Sequence, residues 1–339
     1  MTPPVRIGVV GAGSLGYHHV RILRELPEAR LVGFHDSDPA RSRRVTEELG
    51  VPAAPSLDAL LDQVDAVTVV VPTPAHHAVA SLALARGIHV LIEKPIATTL
   101  EEADALLAIA RRTGALIQTG HVERFNHAIR AALPHITEPR FVESNRLAPF
   151  NPRGSDVAVV LDLMIHDIDL VRALVGGRVT ELAAAGVPVL TPWVDIANAR
   201  LGFDTGAVAN ITASRVSRER VRKLRIFQRS GYLSLDLAQG GGEFYRLRGD
   251  VNPGDLAAAP RQLEEFMERV PLEAPDGEPL RLEFRSFLAA AAGEAAPPVT
   301  GEDGREALAL ALRIMGEIER SMPALSGGGS GATAGSRRA

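Results

Sequence analysis

The chain contains no cysteine. Disulfide bonds, thiolate catalysis and zinc or iron–sulfur centres with cysteine ligands are therefore excluded. Lysine is almost as scarce, because only Lys94 and Lys223 occur among the 37 basic residues. Arginine does not readily release its proton whereas lysine can, so each lysine is a candidate for a chemical role.

Other classes of protein are excluded or disfavoured by what the chain lacks. It has neither an apolar run of about 18 residues nor a basic-then-apolar N-terminus, which predicts a cytoplasmic protein without a membrane segment. The 37 basic and 41 acidic residues give a formal charge of -4, so nucleic acid is not an expected partner. A length of 339 residues with 46% hydrophobic content allows about two domains with sizeable cores.

The first part of the chain, residues 1–122, alternates short β-branched runs with helical stretches. This alternation predicts a doubly wound parallel sheet with helices on both faces, hence an α/β domain. The predicted helices begin at Ser14, Pro39, Pro74 and Leu100. The predicted strands are VRIGVV, ARLVGFHD, AVTVVVP, HVLIEKP and ALIQTG.

The second part, residues 123–325, has a different character. One helix is expected around residues 161–171 and a late helix over residues 303–320. Strand-like segments follow one another without intervening helices, which predicts an α+β domain with a large antiparallel sheet. These segments cover residues 188–203, 206–216, 221–229 and 231–238. Residues 326–339 are rich in glycine and serine and are expected to be disordered.

A glycine motif, Gly11-Ala12-Gly13-Ser14-Leu15-Gly16, follows the first predicted strand and opens a helix. This context is typical of dinucleotide-binding sites. Gly11 permits a tight turn, Gly13 lets the backbone approach a pyrophosphate, and Gly16 allows close helix packing. A glycine turn without a ligand is the alternative.

Asp36 ends the second predicted strand, 20 residues after Gly16. Its carboxylate can accept hydrogen bonds from ribose hydroxyls and would repel a 2′-phosphate, so NAD is expected as the cofactor. Arg41 and Arg43 keep NADP open as a less favoured alternative.

Further candidates lie where later strands end, at the edge where such sheets bind ligands. Two such segments are Val71-Pro72-Thr73-Pro74-Ala75-His76 and Glu93-Lys94-Pro95. A cap for His76 and a surface ion pair for Glu93 and Lys94 are the alternatives. The predicted cofactor-binding residues are Gly11, Gly13, Ser14, Leu15, Gly16, Asp36, Pro72, Thr73, His76, Glu93, Lys94 and Gln118.

The apolar segment LDLMIHDIDLV, residues 161–171, carries four ionisable side chains. Helical periodicity puts Asp162, His166 and Asp169 on one stripe and Asp167 well off it. An unpaired buried carboxylate costs several kcal/mol, so the stripe is expected to face water or a chemical partner. Asp169 is expected to cap a helix or to pair with an arginine. No third ligand stands at a recognisable spacing, so no metal site is predicted, and a structural Asp–His hydrogen bond is the other alternative.

These motifs in this order resemble the glucose-fructose oxidoreductase / inositol dehydrogenase family, Gfo/Idh/MocA. The resemblance rests on the glycine motif with Asp36, VPTxxH, EKP, GHVERFN and Asp162-x-x-x-His166, and it spans residues 5 to about 320. It implies an N-terminal Rossmann domain and a catalytic group of Lys94, Asp162 and His166 beside the nicotinamide. His127 departs from the family pattern, which usually has proline there.

Within the family, residues 142–171 are most similar to members that oxidise C3 of UDP-N-acetylglucosamine. The resemblance thus implies a sugar-nucleotide substrate whose hydroxyl proton passes to His166 while Lys94 stabilises the oxygen. Arg146 and Arg153 are the expected diphosphate ligands. The predicted substrate-binding residues are Lys94, Arg124, Arg146, Arg153 and His166.

Several readings stay open at this point. The basic segment 215–225 could cradle a diphosphate, face solvent or contact another subunit. A dehydrogenase of a free sugar or cyclitol would use the same catalytic residues, and some proteins of this fold bind NAD as regulators without turnover. Family analogy favours a homo-oligomer, a dimer or tetramer, formed through the exposed sheet.

Overall fold

A computed structural model describes residues 3–249, except 153 and 155, and residues 266–321. Its first sheet has five parallel strands in the order β2-β1-β3-β4-β5, which confirms the doubly wound prediction. The strand order reverses between β1 and β3, the place where open α/β sheets bind ligands. The strands are β1 (Val5–Val10), β2 (Ala29–His35), β3 (Ala66–Val69), β4 (His89–Glu93) and β5 (Ile117–Gly120).

Helices cover both faces of this sheet, and local sequence signals set their ends. The Asp38 carboxylate accepts the backbone N–H of Ala40 at 2.9 Å and so caps the second helix. Thr99 caps the fifth helix in the same way, and Gly114 ends it in a left-handed conformation. The helices are α1 (Ser14–Glu25), α2 (Pro39–Leu49), α3 (Leu57–Leu61), α4 (His76–Ala85) and α5 (Leu100–Thr113).

The second sheet has eight strands in the order β13-β12-β11-β10-β6-β9-β8-β7. It is antiparallel as predicted, except that β6 and β9 run parallel. The predicted strand 188–203 begins only at Ile196, because residues 188–195 form the connection that precedes it. The strands are β6 (Phe141–Leu147), β7 (Val179–Val187), β8 (Ile196–Phe203), β9 (Val208–Ser214), β10 (Val221–Gln228), β11 (Gly231–Asp236), β12 (Gly241–Leu247) and β13 (Met267–Leu272).

One face of this sheet is covered by the segment that carries the predicted Asp/His stripe. A short helix α6 (His127–Ala132) leads into the domain. The stripe itself begins as one π-helical turn, Val160–Met164, and continues as helix α7 (Ile165–Val175). Apolar side chains of α7 pack on alternate residues of the strands beneath, which forms the core of the domain.

Two C-terminal helices return to the first domain. Helix α8 (Pro279–Ala291) inserts Phe284, Phe287 and Leu288 into the core around β1 and α1. Helix α9 (Gly301–Ser321) matches the predicted helix 303–320 and packs on both domains, with Leu308 in the core of the first and Leu310 in the core of the second. In the described part of the chain, no helix combines the length and apolarity that a membrane crossing requires. The predicted disordered tail, 326–339, lies outside the described residues.

Candidate active site

A cavity of about 610 Å³ lies at the carboxyl edge of the first sheet. It opens where β1, β3 and β4 end, as the strand order requires. All but one of the predicted cofactor-binding positions line it or form its glycine turn. Its lining includes Gly11, Gly13, Ser14, Leu15, Asp36, Arg41, Pro72, Thr73, His76, Glu93 and Lys94.

The three motif glycines have the space requirements of a pyrophosphate turn. Gly11 has a φ of +93°, and a Cβ there would lie 2.7 Å from the Val70 carbonyl oxygen. A Cβ at Gly16 would lie 2.0 Å from the Gly11 carbonyl oxygen, so α1 packs against the turn. Nothing lies within 4 Å of a Cβ at Gly13, which leaves its backbone open to a phosphate. The cavity therefore fits a dinucleotide.

Asp36 lies at the end of this cavity and is held by several donors. It accepts the backbone N–H of Ala12 at 2.7 Å and of Asp38 at 2.8 Å. The Arg41 guanidinium also donates to it at 3.1 Å. Burial acts to raise the pKa of Asp36, but these donors outweigh burial and the pKa lies below its ordinary value. The carboxylate is thus ionised and oriented, as an acceptor for ribose hydroxyls must be.

Two predicted cofactor residues have other partners. Both ring nitrogens of His76 lie 2.9 Å from carbonyl oxygens, those of Pro95 and Val71, so the ring lines the cavity but is tied to the backbone. Gln118 is fully buried, and its side-chain amide donates to the Glu283 carbonyl oxygen at 3.3 Å. Gln118 does not reach the cavity wall, because β5 directs its side chain towards α8.

Lys94 and Asp162 meet across the two domains. The Lys94 ammonium donates to the backbone oxygen of Asp162 at 2.7 Å and lies 3.7 Å from its Oδ1. The Lys94–Pro95 peptide bond is cis. Burial lowers the pKa of Lys94, while Asp162 and Glu93 act in the opposite direction. The end of β4 therefore presents a desolvated ammonium to the π-helical turn that carries Asp162.

His166 lies on the first turn of α7, beside the same ammonium. Burial, followed by the positive charges of Lys94 and Arg146, lowers its pKa well below the ordinary value. Its ring packs edge-on against that of His121, with the centroids 6.4 Å apart. His166 is therefore neutral at physiological pH and able to accept a proton.

The other two carboxylates of the segment bind arginines. Asp169 is fully buried and forms a bidentate pair with Arg124, at 2.6 and 2.8 Å. This contact confirms the arginine pairing expected of Asp169. Asp167 accepts from Ser144 at 2.7 Å and from Arg146 at 2.5 Å.

The expectation that Arg146 binds a diphosphate disagrees with its position. Its guanidinium is buried and contacts both Asp167 and, at 2.8 Å, Glu123. A buried arginine held by two carboxylates is already neutralised and presents no surface to a diphosphate, so Arg146 braces β6 against α7. Arg124 is likewise committed to Asp169, and Arg153 lies outside the described residues.

Two sequence models match the chain. The model described as the oxidoreductase family with an NAD-binding Rossmann fold, GFO_IDH_MocA, matches residues 5–121. A GFO/IDH/MocA C-terminal domain model matches residues 130–234. The chain belongs to the Gfo/Idh/MocA family of oxidoreductases.

Relatives within this family cover almost the whole chain. A UDP-N-acetylglucosamine 3-dehydrogenase from Acidithiobacillus ferrooxidans is 38% identical over 316 residues, which are 93% of this chain and 97% of the relative. The solved structure of that enzyme superimposes with a TM-score of 0.85 and covers 93% of this chain and 98% of that one, at 36% identity. A scyllo-inositol 2-dehydrogenase (NAD(+)) from Bacillus subtilis is 30% identical over 64% of this chain and 69% of its own length.

Sequence reasoning missed several residues of this Gfo/Idh/MocA site. His121 and Glu123 follow β5 within the quoted GHVERFN motif, yet their spacing gave no sign that both would be buried beside α7. Arg222 was only one member of the basic segment 215–225. The structure divides that segment, because Arg215 is buried against Asp195 while Arg218, Arg220, Lys223 and Arg225 are exposed.

Proposed function

We propose that the protein oxidises the C3 hydroxyl of UDP-N-acetylglucosamine with NAD as the acceptor. The observation that carries this proposal is the approach of Lys94 and Asp162, with His166 beside them, at the end of a cavity that fits NAD. A full-length relative with that activity supports the choice of substrate.

The chemistry of the three residues follows from their charge states. NAD supplies the hydride acceptor when it is bound. His166, neutral because burial lowers its pKa, takes the proton of the substrate hydroxyl. The Lys94 ammonium donates a hydrogen bond to the same oxygen and stabilises its developing negative charge. Asp162 holds the ammonium in place.

The diphosphate needs a cation other than Arg146, and Arg222 has the right location. In the sheet, Arg222 of β10 lies directly opposite Arg146 of β6. The positive charge of Arg222 also acts on His166. Its side chain is 39% exposed and meets Glu123 at 3.3 Å. Burial, with Arg146 next, lowers the pKa of Arg222, so an added anion would relieve repulsion between the two guanidinium groups. We therefore assign Arg222 to the diphosphate.

The experiment is turnover with a panel of substrates. UDP-N-acetylglucosamine and NAD are expected to give NADH and a 3-keto sugar nucleotide, and deuterium at C3 is expected to appear in the NADH. Free N-acetylglucosamine should have a kcat/KM at least about 10³-fold lower, because it lacks the diphosphate that orients the ring. Arg222→Gln should reduce the ratio of kcat/KM between the UDP-sugar and the free sugar. Arg225→Gln, an exposed control on the same strand, should leave that ratio unchanged.

A dehydrogenase of a free sugar or cyclitol is the second candidate, favoured by the inositol dehydrogenase relative. Faster turnover of myo-inositol or a free hexose than of the UDP-sugar would replace the first proposal with this one. Transfer of the label from another carbon would also contradict it. Binding of NAD without turnover of any substrate would instead favour a regulator.

We also propose that the protein is a homo-oligomer that uses the uncovered face of the second sheet. That face carries a row of aromatic rings across four strands, Phe141, Phe227, Tyr232 and Tyr245, with centroids 4.7 to 5.8 Å apart. Sedimentation should give a dimer or tetramer, and a monomer at micromolar concentration would contradict it. A cytoplasmic location remains a prediction.

A further inference from the structure

Glu283, on helix α8, is an anomaly in the core of the first domain. Its side chain is fully buried, and neither carboxylate oxygen has a hydrogen-bond partner among the described residues. The next residue, Phe284, packs edge-on against the fully buried His19 ring, with the centroids 4.8 Å apart. A carboxylate buried without a partner is so costly that the group gives up its charge.

The charged and titratable groups around Glu283 come from several elements. Glu93 at the end of β4 and Asp169 on α7 both act on it as negative charges. Asp169 is already paired with Arg124, and Glu93 has His19 at 3.3 Å. The buried His121 also lies among these groups, and burial lowers its pKa. In the part of the chain that the structure describes, no cation is left to pair with Glu283.

The two glutamates consequently differ in charge. Burial, and then the charges of Glu93 and Asp169, raises the pKa of Glu283 well above its ordinary value. Burial acts to raise the pKa of Glu93 too, but the contact with the His19 ring and the charge of Lys94 outweigh burial, so that pKa is lowered. Glu93 lines the cofactor cavity and directly precedes Lys94.

We propose that Glu283 is a positioning residue of the cofactor site. Its neighbour Phe284 packs on the His19 ring that contacts Glu93, and an uncharged Glu283 side chain behind this pair keeps the Glu93 carboxylate in place at the cavity wall. Ionisation of Glu283 would put a second negative charge in the same buried space. Repulsion would then displace Glu93 from His19 and from the backbone N–H of Lys94, which lies 3.3 Å from Glu93 Oε2. Cofactor affinity should fall as Glu283 loses its proton.

Stability against pH gives the first test, on the protein without substrate. Above the ordinary glutamate pKa of 4.5, the unfolded chain releases a proton that the folded protein retains on Glu283. This group alone then raises the unfolding equilibrium constant about tenfold per pH unit, until the folded protein also loses the proton. Glu283→Gln cannot ionise, so its stability advantage over the wild type should grow with pH from about 5 to 8.

Glu294→Gln is the matched control, because Glu294 is exposed just after the same helix. Its stability difference from the wild type should not change with pH. An infrared spectrum should also show a protonated carboxyl band at neutral pH that Glu283→Gln lacks. A pH-independent stability difference for Glu283→Gln, or no such band, would overturn the proposal.

Calorimetric titration with NAD alone gives the second test. Wild-type affinity should weaken about tenfold through the alkaline range in which Glu283 ionises, the size of a coupling of one pKa unit. Glu283→Gln should bind NAD as the wild type does at neutral pH and keep that affinity at alkaline pH. If the wild type and Glu283→Gln bind NAD with the same affinity at every pH, Glu283 has a structural role only and the proposal is wrong. No sugar is used in either test, so their failure is distinguishable from failure of the proposed substrate.

Discussion

The two side chains at the centre of the site are tuned by the same cause with different results. Burial lowers the pKa of both His166 and Lys94, which makes the histidine a neutral base, while Asp162 and Glu93 oppose the effect at the lysine. Whether a side chain at this site can donate or accept a proton depends on its surroundings more than on its residue type. Lys94 and Lys223 illustrate this, since the second is exposed on β10.

Substitution at Lys94 and His166 tests whether they act on one oxygen. Lys94→Ala and His166→Ala should each lower kcat by about 10²-fold or more. The double variant should lose much less than the product of the two effects, because the residues serve a single step. Lys94→Arg should also fail, since a planar guanidinium does not replace a compact ammonium. Lys223→Ala and His18→Ala, at exposed positions, are the controls. If the losses of kcat at Lys94 and His166 multiply fully in the double variant, these two residues act in separate steps.

We expect the choice between NAD and NADP to depend on Asp36 and Arg41, whose side chains are hydrogen-bonded to each other. NAD should bind at least about tenfold more tightly than NADP, or roughly 1.4 kcal/mol, because the ionised carboxylate repels a 2′-phosphate. Asp36→Ala should reduce that ratio. Arg41 lines the cavity while Arg43 is exposed, so only Arg41→Ala should change NADP affinity. Calorimetry with both cofactors measures this, and equal affinities in the wild type would contradict it.

At the scale of elements, the helical segment that carries Asp162 and His166 is contacted by Gly154, which precedes it in the chain. Gly154 has a φ of +80°, and a Cβ there would lie 2.9 Å from Asp162 Oδ2. Its carbonyl oxygen accepts from Arg215 at 2.5 Å, and Arg215 also pairs with Asp195 at 3.3 Å. A buried ion pair in the second domain thus holds Gly154 beside Asp162.

Gly154→Ala should therefore affect catalysis as well as stability. The left-handed backbone costs an alanine about 1–2 kcal/mol, and the methyl group would also displace Asp162, which should lower kcat by about tenfold or more. Gly206→Ala is the control, because Gly206 has the same φ of +80° but its nearest neighbour is an Arg140 side-chain nitrogen at 3.8 Å. It should lose similar stability and retain kcat. Equal values of kcat in the two variants would show that Asp162 does not depend on the loop.

At the scale of the whole molecule, the hydrophobic core of the N-terminal domain is completed by the two C-terminal helices. Helix α8 fills the core beside β1 and α1, and α9 packs on both domains. The Rossmann domain therefore depends on helices that begin about 160 and about 180 positions beyond its last strand. Folding of the cofactor site and of the second domain should be coupled.

Phe287→Ala tests this dependence. The side chain is fully buried, so its truncation should lower the free energy of unfolding by about 3–5 kcal/mol. NAD affinity should fall in the same variant if α8 supports the cofactor site. Phe150→Ala, at a residue 42% exposed, is the matched control for urea denaturation and NAD titration. An unchanged midpoint of urea denaturation in Phe287→Ala would contradict the dependence of the first domain on α8.

The sequence by itself determined the fold class and the position of the cofactor cavity, because both follow from local patterns. Strand and helix periodicity predicted the first sheet and four of the eight strands of the second, and the glycine spacing with Asp36 predicted the cavity. The order of motifs also indicated Lys94, Asp162 and His166. Strands β6, β7, β12 and β13 and helix α8 were missed. Charged residues interrupt the apolar ones in most of them, and β7 is rich in alanine, which is depleted in strands.

Only the tertiary structure decided which partner each charged side chain has. Helical periodicity separated Asp167 from the stripe, but it could not show that Arg146, expected at the diphosphate, would be held by Asp167 and Glu123. Nor could it bring Glu283 beside Glu93, 190 positions earlier in the chain. Periodicity fixes the face of an element on which a residue lies, whereas its charge state depends on which faces meet after folding and on how much water they exclude.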